Sequence, residues 1–274
     1  MRCFLEGYGP CRGPISREHF ISKSILSHNA AGSSTAKIGG LRWQPLNILQ
    51  NIGIGSLQSK ILCSGHNSEL SLLDSSAGEL FHILHCIDKD RASTPCLSRL
   101  NGLHIERWLL KVLFGGSASG SLNSSEPPEQ WKALLTGADW PPQWGLYLFR
   151  PEGPQIFSSD LLVETMVNPA TGEILAGKFM LAGVIFILLL GTPRPSRVLG
   201  CSSSEWIEFH AWDRGASHRV LMAASGQRNC HHHEHWQHNN ISELSRRMEG
   251  VEDSGWVPNI KIQKTGARVA FQAV

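Results

Sequence analysis

The sequence predicts an α+β fold in two parts. A small, turn-rich unit with two supporting helices spans residues 1–115, a linker or mobile loop 116–130, and a β-rich domain 131–274. Three observations lead there. Up to about residue 70, Gly and Pro recur every few positions (Gly7, Gly9-Pro10, Gly13-Pro14, Gly32, Gly39-Gly40), which leaves room only for short strands and loops. Apolar residues then fall twice into helical periodicity. After a Gly/Ser/Pro stretch (GGSASGSLNSSEPPEQ, 115–130) the texture changes to short strand-like runs.

The turn-rich unit is too poor in apolar runs to hold its shape by core packing, so a metal or ligand is expected to brace it. The first helix is expected from Asn67 to about His85, with Leu70, Leu73, Ala77, Leu80, Phe81 and Leu84 on one face. The second, Leu103 to Phe114, repeats the pattern, and Trp108 within it reads as packing. Beyond the break, strands are expected at Trp144–Phe149, Leu161–Val167, Phe179–Leu190, Trp206–Trp212 and Arg219–Ala224, in a mainly antiparallel module with a mixed edge. The His-rich stretch Cys230–His238 reads as a solvated loop, because adjacent imidazoles cannot all converge on one ion. A short amphipathic helix is expected near Ile241 to Met248.

Charge and cysteines bound the function. The net charge of +2 does not announce a polyanion partner, but residues 1–66 hold Arg2, Arg12, Arg17, Lys23, Lys37, Arg42 and Lys60 against only Glu6 and Glu18. A local basic surplus suits phosphate binding, and equally a solvated surface. Seven cysteines is an odd number, and the N-terminus lacks the apolar run of a secretory signal, so a reducing, cytoplasmic setting is expected. Cys86, Cys96 and Cys201 read as buried thiols. The apolar run Leu181–Leu190 is far shorter than the ~20 residues a membrane helix needs, so no membrane role is expected.

Two segments carry chemistry. Ile15-Ser-Arg-Glu-His-Phe-Ile-Ser-Lys-Ser-Ile-Leu26 sets an acid beside a histidine. Farther on, Ile61-Leu-Cys-Ser-Gly-His-Asn-Ser-Glu-Leu70 sets Cys-x-x-His and then Asn at an expected helix start. A neutral imidazole can act as a general base near pH 7, while Glu and Asn offer hard oxygens of the kind Mg²⁺ and Mn²⁺ prefer. In a regular strand Glu18 and His19 would face opposite ways, so the pair demands a strand end or a bend.

Together the two segments resemble the ββα-metal (HNH) endonuclease motif, over roughly residues 1–85. The resemblance implies an N-terminal ββα-metal nuclease module with supporting helices, followed by the β-rich C-terminal domain. It implies His19 as base, Glu18 and Asn67 as ligands of a catalytic Mg²⁺ or Mn²⁺, and an orienting residue for His19. Gln58 is the nearest candidate for that orienting role, with Asn47 or Asn51 farther upstream. It further implies a structural zinc on Cys3, Cys11, Cys63 and His66. Against zinc stand the wide Cys3-to-Cys11 gap and the His in place of a second Cys. Failing zinc, Cys63 is core and His66 a ligand of the catalytic ion. Arg17, Lys23 and Lys60 would contact nucleic acid, DNA favoured.

A nuclease of this kind fused to a separate module suggests a prokaryotic restriction or phage-defence effector by analogy. A homodimer would help it cut both strands, and a partner protein bound through the C-terminal domain is the alternative. Two rivals stay open: a zinc-stabilised nucleic-acid-binding protein that does not cut, and a hydrolase centred on His231, His232, His233 and His235.

Overall fold

The computed structural model describes residues 2–45, 48–89, 97–141, 144–149, 161–181, 184–191, 206–210, 217–223 and 256–263. Its architecture is mixed α+β. Residues 2–14 form an arm that buries Leu5 and ties back through the Phe4 N–H to the Ile61 carbonyl. Strand β1 (Ile15–His19) follows, then α1 (Lys23–Asn29), β2 (Thr35–Gly39), β3 (Gln50–Gly53) and a 3₁₀ turn at Ile54–Leu57. Strand β4 (Gln58–Cys63) returns antiparallel to β1 and runs directly into α2 (Ser64–Lys89). The hairpin is therefore closed by a long insertion, with a helix issuing from its second strand.

Strand β5 (Leu97–Asn101) leads into α3 (Gly102–Ala118), and α4 (Glu129–Leu135) follows. The Asn101 side chain caps α3 by accepting from the N–H groups of Leu103 and His104. Helix α3 is buried on nearly every face, with Ile105, Trp108, Leu109, Leu110, Val112, Leu113 and Phe114 in the core. It lies so close to the end of β1 that a Cβ on Gly115 would meet that of Phe20 at 2.5 Å. That approach holds the helix against the hairpin.

Strands β6 (Gly145–Phe149), β7 (Leu161–Val167), β8 (Ile174–Leu181) and β9 (Val184–Leu189) are followed by β10 (Trp206–His210), β11 (Ser217–Ala223) and β12 (Trp256–Gln263). A seven-stranded antiparallel sheet runs in the order β3-β2-β12-β7-β8-β9-β6, and β10, β11 and β5 form a second sheet in which β11 and β5 are parallel. Strand β12 pairs with β2 on one side and β7 on the other. The N-terminal insertion and the C-terminal strands thus share hydrogen bonds across the expected boundary.

Several elements differ from expectation. The apolar run Phe179–Leu190 is a hairpin, with Leu181 paired to Val184, and no polar residue marks the reversal. Within residues 116–130, α3 continues to Ala118, and the N–H groups of Ser121 and Leu122 both donate to the Gly116 carbonyl. Leu122 is fully buried and the Ser125 N–H donates to the Gly172 carbonyl. One apolar anchor and a few backbone bonds suffice to dock a polar segment. Helices α1 and α4 and strands β5 and β12 fall outside the expected elements. Among the described residues no helix is long and apolar enough to cross a membrane. The histidine stretch 231–238, the helix expected at 241–248, and Asn47, Cys96 and Cys201 lie outside the described residues.

Candidate functional site

Four side chains converge where the arm, the end of β4 and the start of α2 meet. His66 Nδ1 lies 3.3 Å from Cys3 Sγ, 3.8 Å from Cys11 Sγ and 3.3 Å from Cys63 Sγ. All four ligand atoms fall within 4.8 Å of one another. Tetrahedral zinc with ordinary bond lengths would set sulfur and nitrogen ligands about 3.6 Å apart and sulfur pairs about 3.8 Å apart. The group could hold a metal such as zinc. Among the described residues it is the only group of three or more His, Cys, Asp or Glu so disposed.

Local backbone builds this cluster. Turns joining Glu6 N–H to the Cys3 carbonyl and Tyr8 N–H to the Leu5 carbonyl, with Gly7 and Gly9 at positive φ, fold the wide Cys3-to-Cys11 gap back on itself. The N–H groups of Ser64 and Gly65, free donors at the start of α2, go to the carbonyls of Pro14 and Arg12. Backbone N–H groups also reach sulfur, Cys63 N to Cys3 Sγ at 3.3 Å and His66 N to Cys63 Sγ at 3.5 Å. Burial raises the Cys63 thiol pKa, but the N–H groups of His66 and Arg12 and hydrogen bonds from Cys3 and Cys11 outweigh it, to about 6. Burial and the neighbouring Cys3 and Cys63 push Cys11 up to about 12. Cys63 and Cys11 are thus pushed in opposite directions within one cluster, and thiolates are the ligands a divalent cation such as zinc takes.

At the other end of the hairpin, His19 closes β1 opposite Gln58, the first residue of β4. Gln58 Nε2 lies 3.2 Å from His19 Nδ1, so Gln58, rather than Asn51 on exposed β3, is the residue brought to the histidine. Between Ser16 and Glu18 the register slips, β4 advancing from Leu62 to Ser59. The extra residue is on β4 and precedes Glu18, whereas Glu18 and His19 pair regularly with Ser59 and Gln58, so the pair sits at the strand end without a bend between them. Nε2 of His19 is buried without a formed hydrogen bond. Burial lowers the His19 pKa below 6.5, with Lys23 and Lys111 adding to the effect and the Ile54 backbone and Asp74 opposing it. The imidazole is neutral at pH 7.

The tautomer depends on the Gln58 amide, whose nitrogen and oxygen exchange places by a half-turn at no cost in shape. With Oε1 toward His19, Nδ1 carries the proton and Nε2 keeps the free lone pair that a base needs.

Glu18 is 5% exposed, and its carboxylate forms an ion pair with Lys111 of α3. The same ammonium, 2% exposed, donates to Asp74 Oδ2 of α2 at 2.5 Å. Ser22 Oγ donates to Asp74 Oδ1 at 2.5 Å and accepts from Trp108 Nε1 at 2.7 Å. Burial raises the Glu18 pKa, Lys111 lowers it, and Asp74 raises it further. Removing one partner from a buried pair typically costs about 3–5 kcal/mol. Asn67, the other expected ligand, donates through Nδ2 to Ser16 Oγ at 3.1 Å.

Arg17, Lys23 and Lys60 all lie exposed around the His19 end of the hairpin. Sequence reasoning missed Ser22, Asp74 and Lys111. A signal existed for Lys111, a lone charge inside the apolar run Trp108-Leu-Leu-Lys-Val-Leu-Phe114, since a buried charge there needs a partner. Comparison with protein-family models, with curated proteins and with solved structures found no match to this chain.

Proposed function

We propose that the chain is an HNH-type endonuclease that hydrolyses phosphodiester bonds of nucleic acid, DNA favoured, with a zinc-braced ββα hairpin as its catalytic module. The observation that carries the reading is the Gln58–His19 contact across the end of the β1–β4 hairpin. It sets a neutral imidazole, held by an amide, beside a patch of exposed Arg17, Lys23 and Lys60. In this reading His19 Nε2 takes a proton from the attacking water, Gln58 fixes the ring, and the three cations hold the substrate phosphates. The Cys3/Cys11/Cys63/His66 metal fixes the relation of arm, hairpin and α2, and so the position of His19.

The family resemblance also implies Mg²⁺ or Mn²⁺ between Glu18 and Asn67. As the side chains stand they do not form that site, because Glu18 is engaged by Lys111 and Asn67 by Ser16. The same ion pair favours a second reading, a zinc-stabilised protein that binds nucleic acid without cutting it, since a binder has no need of a free carboxylate.

Zinc-loaded protein incubated with supercoiled DNA separates the two. The nuclease reading expects nicked and linear products when Mg²⁺ or Mn²⁺ is added. Retarded but intact plasmid in every metal would leave the binding reading standing. As a restriction or phage-defence effector, the protein would act on foreign DNA, and expression in bacteria should lower phage plating efficiency in a His19-dependent manner.

A further inference from the structure

We infer that Trp43, on the loop joining β2 to β3, stacks on an unpaired nucleobase, and that Arg42 and Lys37 hold the phosphates beside it. The inference rests on the nucleic-acid reading above and deepens it, since it names a strand with open base faces as the form the protein holds.

The loop is built to present this side chain. Trp43 is 61% exposed, on a turn closed by the Gln44 N–H donating to the Leu41 carbonyl at 2.8 Å. Leu41 and Gln44, which flank Arg42 and Trp43, are both buried. The Gln44 amide is committed to the same loop: Oε1 accepts from the Leu41 N–H at 3.0 Å, and Nε2 donates to the Ile38 carbonyl at 3.0 Å and to Gln50 Oε1 at 3.4 Å. The Arg42 N–H donates to the Ser121 carbonyl at 3.0 Å, tying the turn to the segment after α3. The returning chain crosses Gly39 so closely that a Cβ there would meet Leu49 at 2.8 Å and the Ile48 carbonyl at 2.9 Å. The backbone is thus fixed while the indole projects into water. A large ring held in place ahead of binding loses little conformational entropy when a ligand covers it.

Charge identifies the ligand. Between Glu18 and Glu69 the sequence holds no acidic residue. Lys37 and Arg42 are exposed within that span, and among the described residues neither enters an ion pair. Lys37 of β2 and Asn51 of β3 are register partners and are both exposed, whereas Ala36, Ile38 and Ile52 are buried. Cations, an amide and an indole match the three parts of a nucleotide strand: phosphate, base edge and base face. In a duplex each base face is covered by its neighbours, so stacking on Trp43 takes an unpaired base. A second copy of this chain fits less well, because a twofold contact would set these cations against their own likenesses with no acid to neutralise them. An anionic lipid surface would use the charges and the indole but not the amide.

The position suits the proposed chemistry. The Thr35/Gly53 end of the β2–β3 hairpin leads into the 3₁₀ turn before Gln58, and the Trp43 loop closes the other end, about 13 Å away along β2. A strand held at Trp43 therefore has His19 within reach of a few nucleotides.

The test is binding of zinc-loaded protein to two labelled strands of equal length and charge, an oligo-dT and an abasic oligomer. Fluorescence anisotropy is read without Mg²⁺ or Mn²⁺, so that neither strand is cut. Wild type should bind oligo-dT about 5- to 100-fold more tightly than the abasic strand, the range that stacking of one base gives. Trp43→Ala should erase most of that preference with Tm unchanged, and Trp43→Phe, which keeps a ring, should retain most of it. Arg42→Ala should weaken both strands alike and reduce the slope of log affinity against log salt by about 0.7.

A base preference that survives Trp43→Ala overturns the inference, as does a wild type that binds the two strands equally. Trp43-dependent self-association, or binding to phosphatidylserine vesicles, in a protein whose base preference ignores Trp43 gives the surface to a second copy or to a membrane instead. Because no cleavage is read, plasmid nicking by wild type reports separately on the nuclease reading. Nicking with a base preference independent of Trp43 sinks only the stacking. A Trp43-dependent preference in a protein that never nicks sinks only the nuclease.

Discussion

At one end of the β1–β4 hairpin three sulfurs and an imidazole nitrogen face a common point, their positions set by backbone hydrogen bonds within a short span of chain. At the other end Glu18 is held by an ammonium from α3 and His19 by the Gln58 amide, while Asn67 lies beside His66 at the sulfur end and donates to Ser16. The second end carries its own cation, the Lys111 ammonium shared between Glu18 and Asp74. A brace has to be complete as the chain folds, because the turn-rich arm has little core of its own. The contrast sets a cluster that could hold a metal against a carboxylate already paired within the protein.

Breaking the brace gives the largest expected effect. Cys63→Ser should abolish stoichiometric zinc, measured by atomic absorption, and lower Tm by on the order of 10 °C or more, because metal binding energy is folding energy. A Cys63→Ser protein that keeps its Tm would mean that the cluster is a set of buried thiols and the two ends do not differ in kind.

Next comes the orienting amide. Gln58→Ala should slow cleavage by roughly 10- to 100-fold, in line with the loss of a residue that orients a site histidine, with zinc content unchanged. Its pH dependence sharpens the point. The His19 pKa is lowered from 6.5, so the neutral base persists through pH 6.5 and the acid limb of the rate profile should fall below it. A limb centred above 6.5 would contradict the burial that produces the shift.

The smallest effect belongs to the exposed cations. Alanine at Arg17, Lys23 or Lys60 should each reduce the slope of log affinity against log salt by about 0.9 on duplex DNA, with Tm unchanged. An unchanged slope would mark that residue as solvated surface.

How much of this was legible in the sequence follows from the same contrast. The sulfur cluster could be read because Cys-x-x-His on a helix start is local, and the wide Cys3-to-Cys11 gap deceived only until two backbone turns shortened it. The strands Leu161–Val167 and Trp206–His210 and the cores of α2 and α3 were legible from apolar spacing alone. Gln58 could be reached only as the nearest amide before the Cys segment, since a regular register from Cys63 would set Ser59 opposite His19 and it is the bulge before Glu18 that brings Gln58 there. Lys111 could not be placed against Glu18, because their meeting depends on how α3 packs across the hairpin, a tertiary choice that no local pattern encodes. The β8–β9 reversal hid for the opposite reason: from Phe179 through β9 no polar side chain interrupts the run.

The most direct test of the account is the single-turnover rate of plasmid nicking by zinc-loaded wild type and His19→Ala at pH 7 with saturating Mn²⁺. The account predicts a fall of about 10²- to 10⁴-fold in His19→Ala, with equal zinc content and equal Tm. Equal rates in the two proteins, or no cleavage by wild type, would contradict it.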